Sequence, residues 1–271
     1  MIRLVAMDLD DTLLSSDLTI SIGNREMLQK AEKNGLKITL ASGRMYRAML
    51  PYAQILGMRN IPLIAYNGAL VKHADHGRTI THRPLRRLLV EQIISNLKEL
   101  GLHVNVYSND RLYIEKMTAE ARVYMEISRV EPEIIGDFSR YTPEDCTKVL
   151  AIGDPQRMAE IKTRMAEVFG ERVHVTISKP QYLEFVSAGV NKALALREVA
   201  AYYGFEREEV MAIGDGFNDL EMIKWAGVGV AVENAPLEVK QAADWVSPSS
   251  DKDGVAAALR RYVGLEAGIE R

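Results

Sequence analysis

Two short acidic clusters stand out in the chain. Asp8-Leu9-Asp10-Asp11-Thr12 follows one apolar run, and Gly214-Asp215-Gly216-Phe217-Asn218-Asp219 follows another. Carboxylates as close as Asp8 and Asp10 repel each other, so they need a cation, a shared proton or open water. An acidic turn closing a strand would account for the first cluster alone. With the second, neighbouring strands would bring Asp8, Asp10, Asp215 and Asp219 to one edge of a sheet. Four carboxylates in one cleft call for a divalent ion. Oxygen-only donors select a hard one, and a few carboxylates completed by water and substrate oxygens favour Mg²⁺. Two further elements suit an anion. Ser42-Gly43-Arg44 offers a hydroxyl and backbone N–H groups at a helix start, where phosphates bind. Lys192 also opens a helix, where a cation works against the helix dipole, although a solvated lysine is the ordinary alternative there.

The surrounding elements put these residues at strand ends. Residues 2–7 form an apolar run broken only by Arg3, as in a strand buried on both faces. A helix is expected over 24–34, closed by Gly35, then a strand over 36–41. A helix over 44–56 carries Pro51 as a kink or early stop, and a short strand over 63–66 precedes Asn67-Gly68. This alternation predicts a parallel sheet with helices on both sides, whose ligands bind beyond the carboxyl ends of the strands. The middle has another rhythm. A helix over 85–100, a hairpin of 103–107 and 112–115 around Ser108-Asn109-Asp110, a strand over 148–152, a helix over 156–169 and strands over 173–177 and 182–186 predict a partly antiparallel α+β unit. The first rhythm then resumes with a helix over 192–203, a strand over 210–213, a helix over 218–226 and a strand over 228–230. The expected fold is therefore α/β, a parallel-sheet core of residues 1–83 and 188–271 interrupted by an inserted α+β domain over 84–187. Arg83-Pro84 and Ser187-Ala188-Gly189 are the expected hinges.

The totals exclude several classes. With 271 residues, 47% of them hydrophobic and 26% charged, the chain can bury a large core without disulfides. Its single cysteine, Cys146, provides neither a disulfide nor a thiolate metal cluster, which favours a reducing, cytoplasmic setting. The start MIRLVAMDLDD meets acids too soon for a signal peptide, and no apolar stretch approaches transmembrane length. With 34 basic against 37 acidic side chains, no nucleic-acid surface is expected. Oligomeric state leaves no signal in the sequence.

Taken together, DLDDTLL (8–14), ASGR (41–44), Lys192 in VNKALAL (190–196) and GDGFND (214–219) resemble the haloacid dehalogenase superfamily of phosphohydrolases. Their order and spacing resemble the Cof-type branch, with a large inserted α+β cap of the C2B type on a Rossmann-like core, over the whole chain. The resemblance implies that Asp8 is the nucleophile, forming an aspartyl-phosphate, and that Asp10 is general acid and then base. It implies Mg²⁺ on Asp8, the Asp10 carbonyl and Asp215, with Asp219 binding directly or through water. Leu9, Ser42, Gly43, Lys192 and Asn218 are implied as phosphate contacts. Where the third motif usually reads Lys-Gly, Ala193 follows Lys192 here. An acid two residues after the nucleophile marks the branches that transfer phosphoryl groups, so the superfamily's name does not describe the reaction expected.

A cap of this size implies a small phosphorylated metabolite, a sugar phosphate or similar ester. Tyr182 and Glu184 are expected near the entrance. Arg83, Arg86 and Arg87 read as a solvated helix face that could otherwise reach an anion, and His103 and His174 read as structural. The rivals to a Mg²⁺-dependent phosphomonoesterase are a phosphomutase or phosphotransferase on sugar phosphates and a non-catalytic metabolite sensor.

Overall fold

The run LVAM has no polar side chain on either face, and in the computed structural model it forms the strand Leu4–Met7, buried at all four positions. The structure describes residues 1–57, 61–140 and 143–264, so residues 265–271 of the 188–271 segment lie outside the described ones. Two units make up the chain. One comprises Met1–Ser42, Met49–Ile80 and Asn191–Arg271, and the other Gly43–Ala48 and Thr81–Val190.

In the first unit Leu4–Met7 lies between Val210–Gly214 and Lys37–Leu40, parallel to both, in register Met7 with Ile213 and with Leu40. Val228–Val232 and Trp245–Ser247 extend the sheet beyond Val210–Gly214. The chain thus builds outward in one direction from Leu4–Met7 and in the other from Val210–Gly214. Their shared carboxyl end is the switch point where such sheets open a crevice. Ala193, Leu196, Val199 and Ala200 of the Lys192–Tyr203 helix, with Met222 and Ala226, cover Leu4, Ala6, Val210 and Ala212. The first helix runs Ile22–Lys33, capped by Ser21 through the Asn24 amide, and Gly35 follows at φ +88°. The second is shorter than expected, Tyr46–Ile55, and retains Pro51 inside.

The third strand departs from the parallel expectation. Pro62–Ala65 shares a single parallel bridge, Ala41 with Ile64, and pairs instead antiparallel with Leu70–His73 in a three-stranded sheet completed by Thr79–His82. Tyr66, Asn67 and Gly68 all adopt positive φ, which folds the chain straight back. The chain closes with the elements Leu237–Ala242, Trp245–Ser247 and Gly254–Val263, which the sequence pattern does not predict.

The second unit holds a six-stranded sheet. It runs Val173–Lys179, Tyr182–Ser187, Cys146–Ile152, His103–Ser108, Arg111–Ile114 and Glu133–Ile134, antiparallel except at the last pair. Asn109 and Asp110 take the positive φ of a tight hairpin turn. Alternation divides the two faces. Val104, Val106, Val149, Ala151, Leu183 and Phe185 form the core with the helices Arg87–Glu99 and Pro155–Phe169. The opposite face carries Asn105, Tyr107, Lys148, Tyr182 and Glu184, all buried. The helix Ala119–Ser128 is an element the sequence pattern does not predict. Its Tyr124 lies edge-on to Tyr182 at 5.5 Å and accepts from the Tyr107 hydroxyl.

Candidate active site

Parallel pairing of the two central strands carries the site. The Asp8 amide donates to the Ile213 carbonyl at 3.0 Å, so Asp8 stands one residue past the strand and opposite the Gly214 end. Carboxylate oxygens of Asp8, Asp215 and Asp219 all lie within 4.8 Å of one another. Lys192 is fully buried between two of them, its Nζ 2.5 Å from Asp8 Oδ1 and 2.5 Å from Asp219 Oδ1. Asn191 caps the helix by accepting from the Leu194 amide at 2.7 Å, which fixes where the lysine begins.

Asp219 has two tasks. Its Oδ2 accepts the amides of Asp215 at 3.1 Å and Gly216 at 2.9 Å, closing the glycine-rich turn, while Oδ1 meets Lys192. The turn needs glycine at 214, because a Cβ there would stand 2.5 Å from the Asp219 Cβ. After Asp8 the chain leaves helical geometry, with Asp10 at φ −71°, ψ 131° and Asp11 left-handed at φ 59°. The Asp10 carboxylate is not among the three clustered acids. Its charge is nevertheless felt at Asp8.

Electrostatics describe a site short of positive charge. Burial pushes the Asp8 carboxyl well above its ordinary range. Lys192 opposes this, and the charges of Asp219, Asp215 and Asp10 add to it. Asp215 is pushed up to about 7, first by burial and then by Asp219, against a hydrogen bond from the Thr12 hydroxyl. Burial alone would lower the Lys192 ammonium, but Asp219 and Asp8 together raise it above its ordinary value, so it stays charged. Three carboxylates thus share one ammonium. An all-oxygen donor set with this charge deficit fits a hard divalent cation.

Of the other expected phosphate contacts, Ser42 and Leu9 are buried. The Ser42 amide donates to the Ile64 carbonyl at 2.8 Å and its carbonyl accepts the Asn67 amide at 3.0 Å. Asn218 Nδ2 donates to Asn67 Oδ1 at 3.0 Å. Gly43 groups with the second unit, where Lys148 Nζ donates to its carbonyl at 2.9 Å. Glu184 is buried there against Lys148 at 3.3 Å and accepts from Ser178 at 2.7 Å. Arg87 pairs with Glu91 on an exposed helix face. His103 is bonded to Asn105 and Thr118, whereas His174 is exposed.

Sequence reasoning passed over four residues. Thr12 donates to Asp215 Oδ1 at 2.7 Å, and its place in DLDDT was the available signal. Asn67 ties Ser42 to Asn218, and its signal was an Asn-Gly pair ending a strand. Gly68, at φ +101°, would drive a Cβ to 2.4 Å from the Asn191 carbonyl, so this turn and the start of the Lys192 helix require each other. Lys148 gave no signal, being one polar residue in an otherwise apolar strand.

An acid cluster and a buried lysine at the switch point of a parallel sheet define a phosphohydrolase class. The model of the haloacid dehalogenase-like hydrolases matches residues 5–259, and the chain belongs to that family. It is a phosphatase of the Cof-type branch. It is 32% identical over 269 residues to a 5-amino-6-(5-phospho-D-ribitylamino)uracil phosphatase of Bacillus subtilis, covering 97% of this chain and 98% of that one. Among solved structures, a haloacid dehalogenase-like hydrolase from Bacteroides thetaiotaomicron superposes with a TM-score of 0.90 at 31% identity, over 96% of this chain and 99% of that one. A Thermotoga maritima protein superposes at 0.87 with 34% identity, over 99% of each chain. Among the described residues, no helix is long and apolar enough to cross a membrane.

Proposed function

We propose that the chain is a Mg²⁺-dependent phosphomonoesterase of a small phosphorylated metabolite, working through an aspartyl-phosphate on Asp8. The observation that carries this reading is the meeting of Asp8, Asp215 and Asp219 around the buried Lys192. Asp8, Asp215 and Asp219, with the Asp10 carbonyl, would hold the ion. Bound there, it would supply positive charge to carboxylate and phosphate oxygens. A carboxylate oxygen of Asp8 attacks phosphorus as the ester oxygen leaves with a proton from Asp10. Water then attacks phosphorus and gives its proton to Asp10, which releases phosphate and restores Asp8. Lys192 offsets charge on Asp8 and the phosphate throughout. Ser42, Asn218 and the Leu9 and Gly43 amides would orient the phosphate, with Asn67 holding Ser42 and Asn218 in register. The inserted unit, expected over 84–187, would act as the cap that selects the leaving group.

The phosphorylated ribitylaminouracil named for the Bacillus relative is the first compound to assay, alongside sugar phosphates. Release of phosphate into water, lost with a chelator and in Asp8→Asn, is expected. Equal hydrolysis by wild type and Asp8→Asn would overturn the mechanism. Transfer to an added sugar outpacing phosphate release would make the enzyme a mutase instead.

A further inference from the structure

A second cluster of metal-ligating side chains lies in the first unit, on the turn between the Leu70–His73 and Thr79–His82 strands, and shares no residue with the acid cluster. One ligand atom each from His73, Asp75 and His76 lies within 4.8 Å of the other two. His73 is buried at the end of its strand. Its ring meets Tyr202 edge-on at 5.5 Å and His76 at 4.3 Å between centroids. Asp75 and His76 are exposed, so the cluster opens to solvent on one side. Asp75 Oδ1 accepts the His76 amide at 2.8 Å and stands 3.6 Å from His76 Nε2, so the carboxylate is already turned toward the imidazole.

We propose that His73, Asp75 and His76 form a second metal site, which takes a borderline divalent cation of the zinc type. The donor chemistry separates it from the first. Two imidazoles and one carboxylate suit zinc and its neighbours, whereas the all-oxygen cluster at Asp8 suits Mg²⁺. His76 Nδ1 now accepts the Arg78 amide at 3.3 Å. Ligation through Nε2 needs the proton on Nδ1, so this long, exposed bond is the one given up. Three protein ligands leave a position for water, which makes the site exchangeable. Through the His73–Tyr202 contact, a bound ion would tie the turn to the Lys192–Tyr203 helix.

The test uses full-length protein without an affinity tag, in millimolar Mg²⁺ to hold the hard site. Calorimetric titration with Zn²⁺ is expected to show one site per chain. His76→Ala and Asp75→Asn, both at exposed positions, should weaken it at least about tenfold, since losing even a supporting partner costs that much. Asp8→Asn should leave it intact. Co²⁺ should give the visible absorption of a nitrogen-ligated ion, absent in His76→Ala. No zinc uptake by wild type, undiminished uptake by His76→Ala, or loss of the site in Asp8→Asn would overturn the proposal. Phosphatase activity takes no part in this readout.

Discussion

Asp8→Asn should abolish turnover and at the same time stabilise the metal-free protein. Asn keeps the shape of the side chain and its Oδ1 acceptor for Lys192 but removes one of three clustered charges. At an effective dielectric of ~20, each repulsion over the 4.8 Å bound on the cluster is about 3.5 kcal/mol or more, two of them about 7. Attraction to Lys192 at 2.5 Å is of similar size, roughly 6–7 kcal/mol. The Coulomb terms nearly cancel, which leaves the cost of burying the carboxylate uncompensated. Its raised pKa points the same way. Because Lys192 keeps Asp219 as its partner, the substitution leaves no buried charge unpaired, unlike the costly loss of one partner from an isolated buried pair, and a gain of roughly 1–3 kcal/mol is expected. Urea denaturation of both proteins with a chelator and then with Mg²⁺ reads it directly. On the proposed function, Mg²⁺ would bind only the folded state and should stabilise wild type more than the variant, which shrinks or reverses the difference. A variant less stable than wild type by about 1 kcal/mol or more in chelator, or equal Mg²⁺ stabilisation of both, would refute the charge-deficit reasoning. Activity should fall by at least about 10⁴-fold, in line with loss of the proposed nucleophile.

Three further outcomes are expected. Gly214→Ala would press a methyl group onto Asp219 and loosen its bonds to Lys192 and the turn amides. It should cost about 1–3 kcal/mol in urea denaturation and lower kcat/KM by at least about tenfold. Lys148→Met leaves the buried Glu184 without its ammonium and should cost about 3–5 kcal/mol. Adding Glu184→Gln, which still accepts from Ser178, should recover much of that in a double-mutant cycle; strict additivity would show that the pair does not interact. Burial holds the His103 pKa below its ordinary value, so the unfolded chain takes up a proton near pH 6.5 while the folded chain does so lower. Its contribution is therefore present above about pH 6.5 and lost as pH falls. The slope of stability between pH 7.5 and 5 should flatten in His103→Gln, and an unchanged slope would assign the titration elsewhere.

Much of the site was legible because its residues sit at punctuation. Asp8 and Asp215 follow apolar runs, the first broken only by Arg3, and such runs in this fold are central strands, whose ends are where ligands bind. Lys192 follows Asn191, a good helix cap. Thr12 and Asn67 were less legible, because what they do is hold another residue. Such a task appears only when both partners have positions.

Local pattern alone determined the strand ends, the alternation of the inserted unit and the types of chemistry available. Periodicity and residue type act over a few residues and need no partner. Tertiary structure decided the pairings. It set Leu4–Met7 beside Val210–Gly214 across some two hundred residues of chain, placed the Lys192 ammonium between Asp8 and Asp219, and turned Pro62–Ala65 back into an antiparallel sheet. It also buried Lys148 against Glu184 and gathered His73, Asp75 and His76 at one turn. Each of these depends on distance and burial, which arise only when separate segments exclude water together.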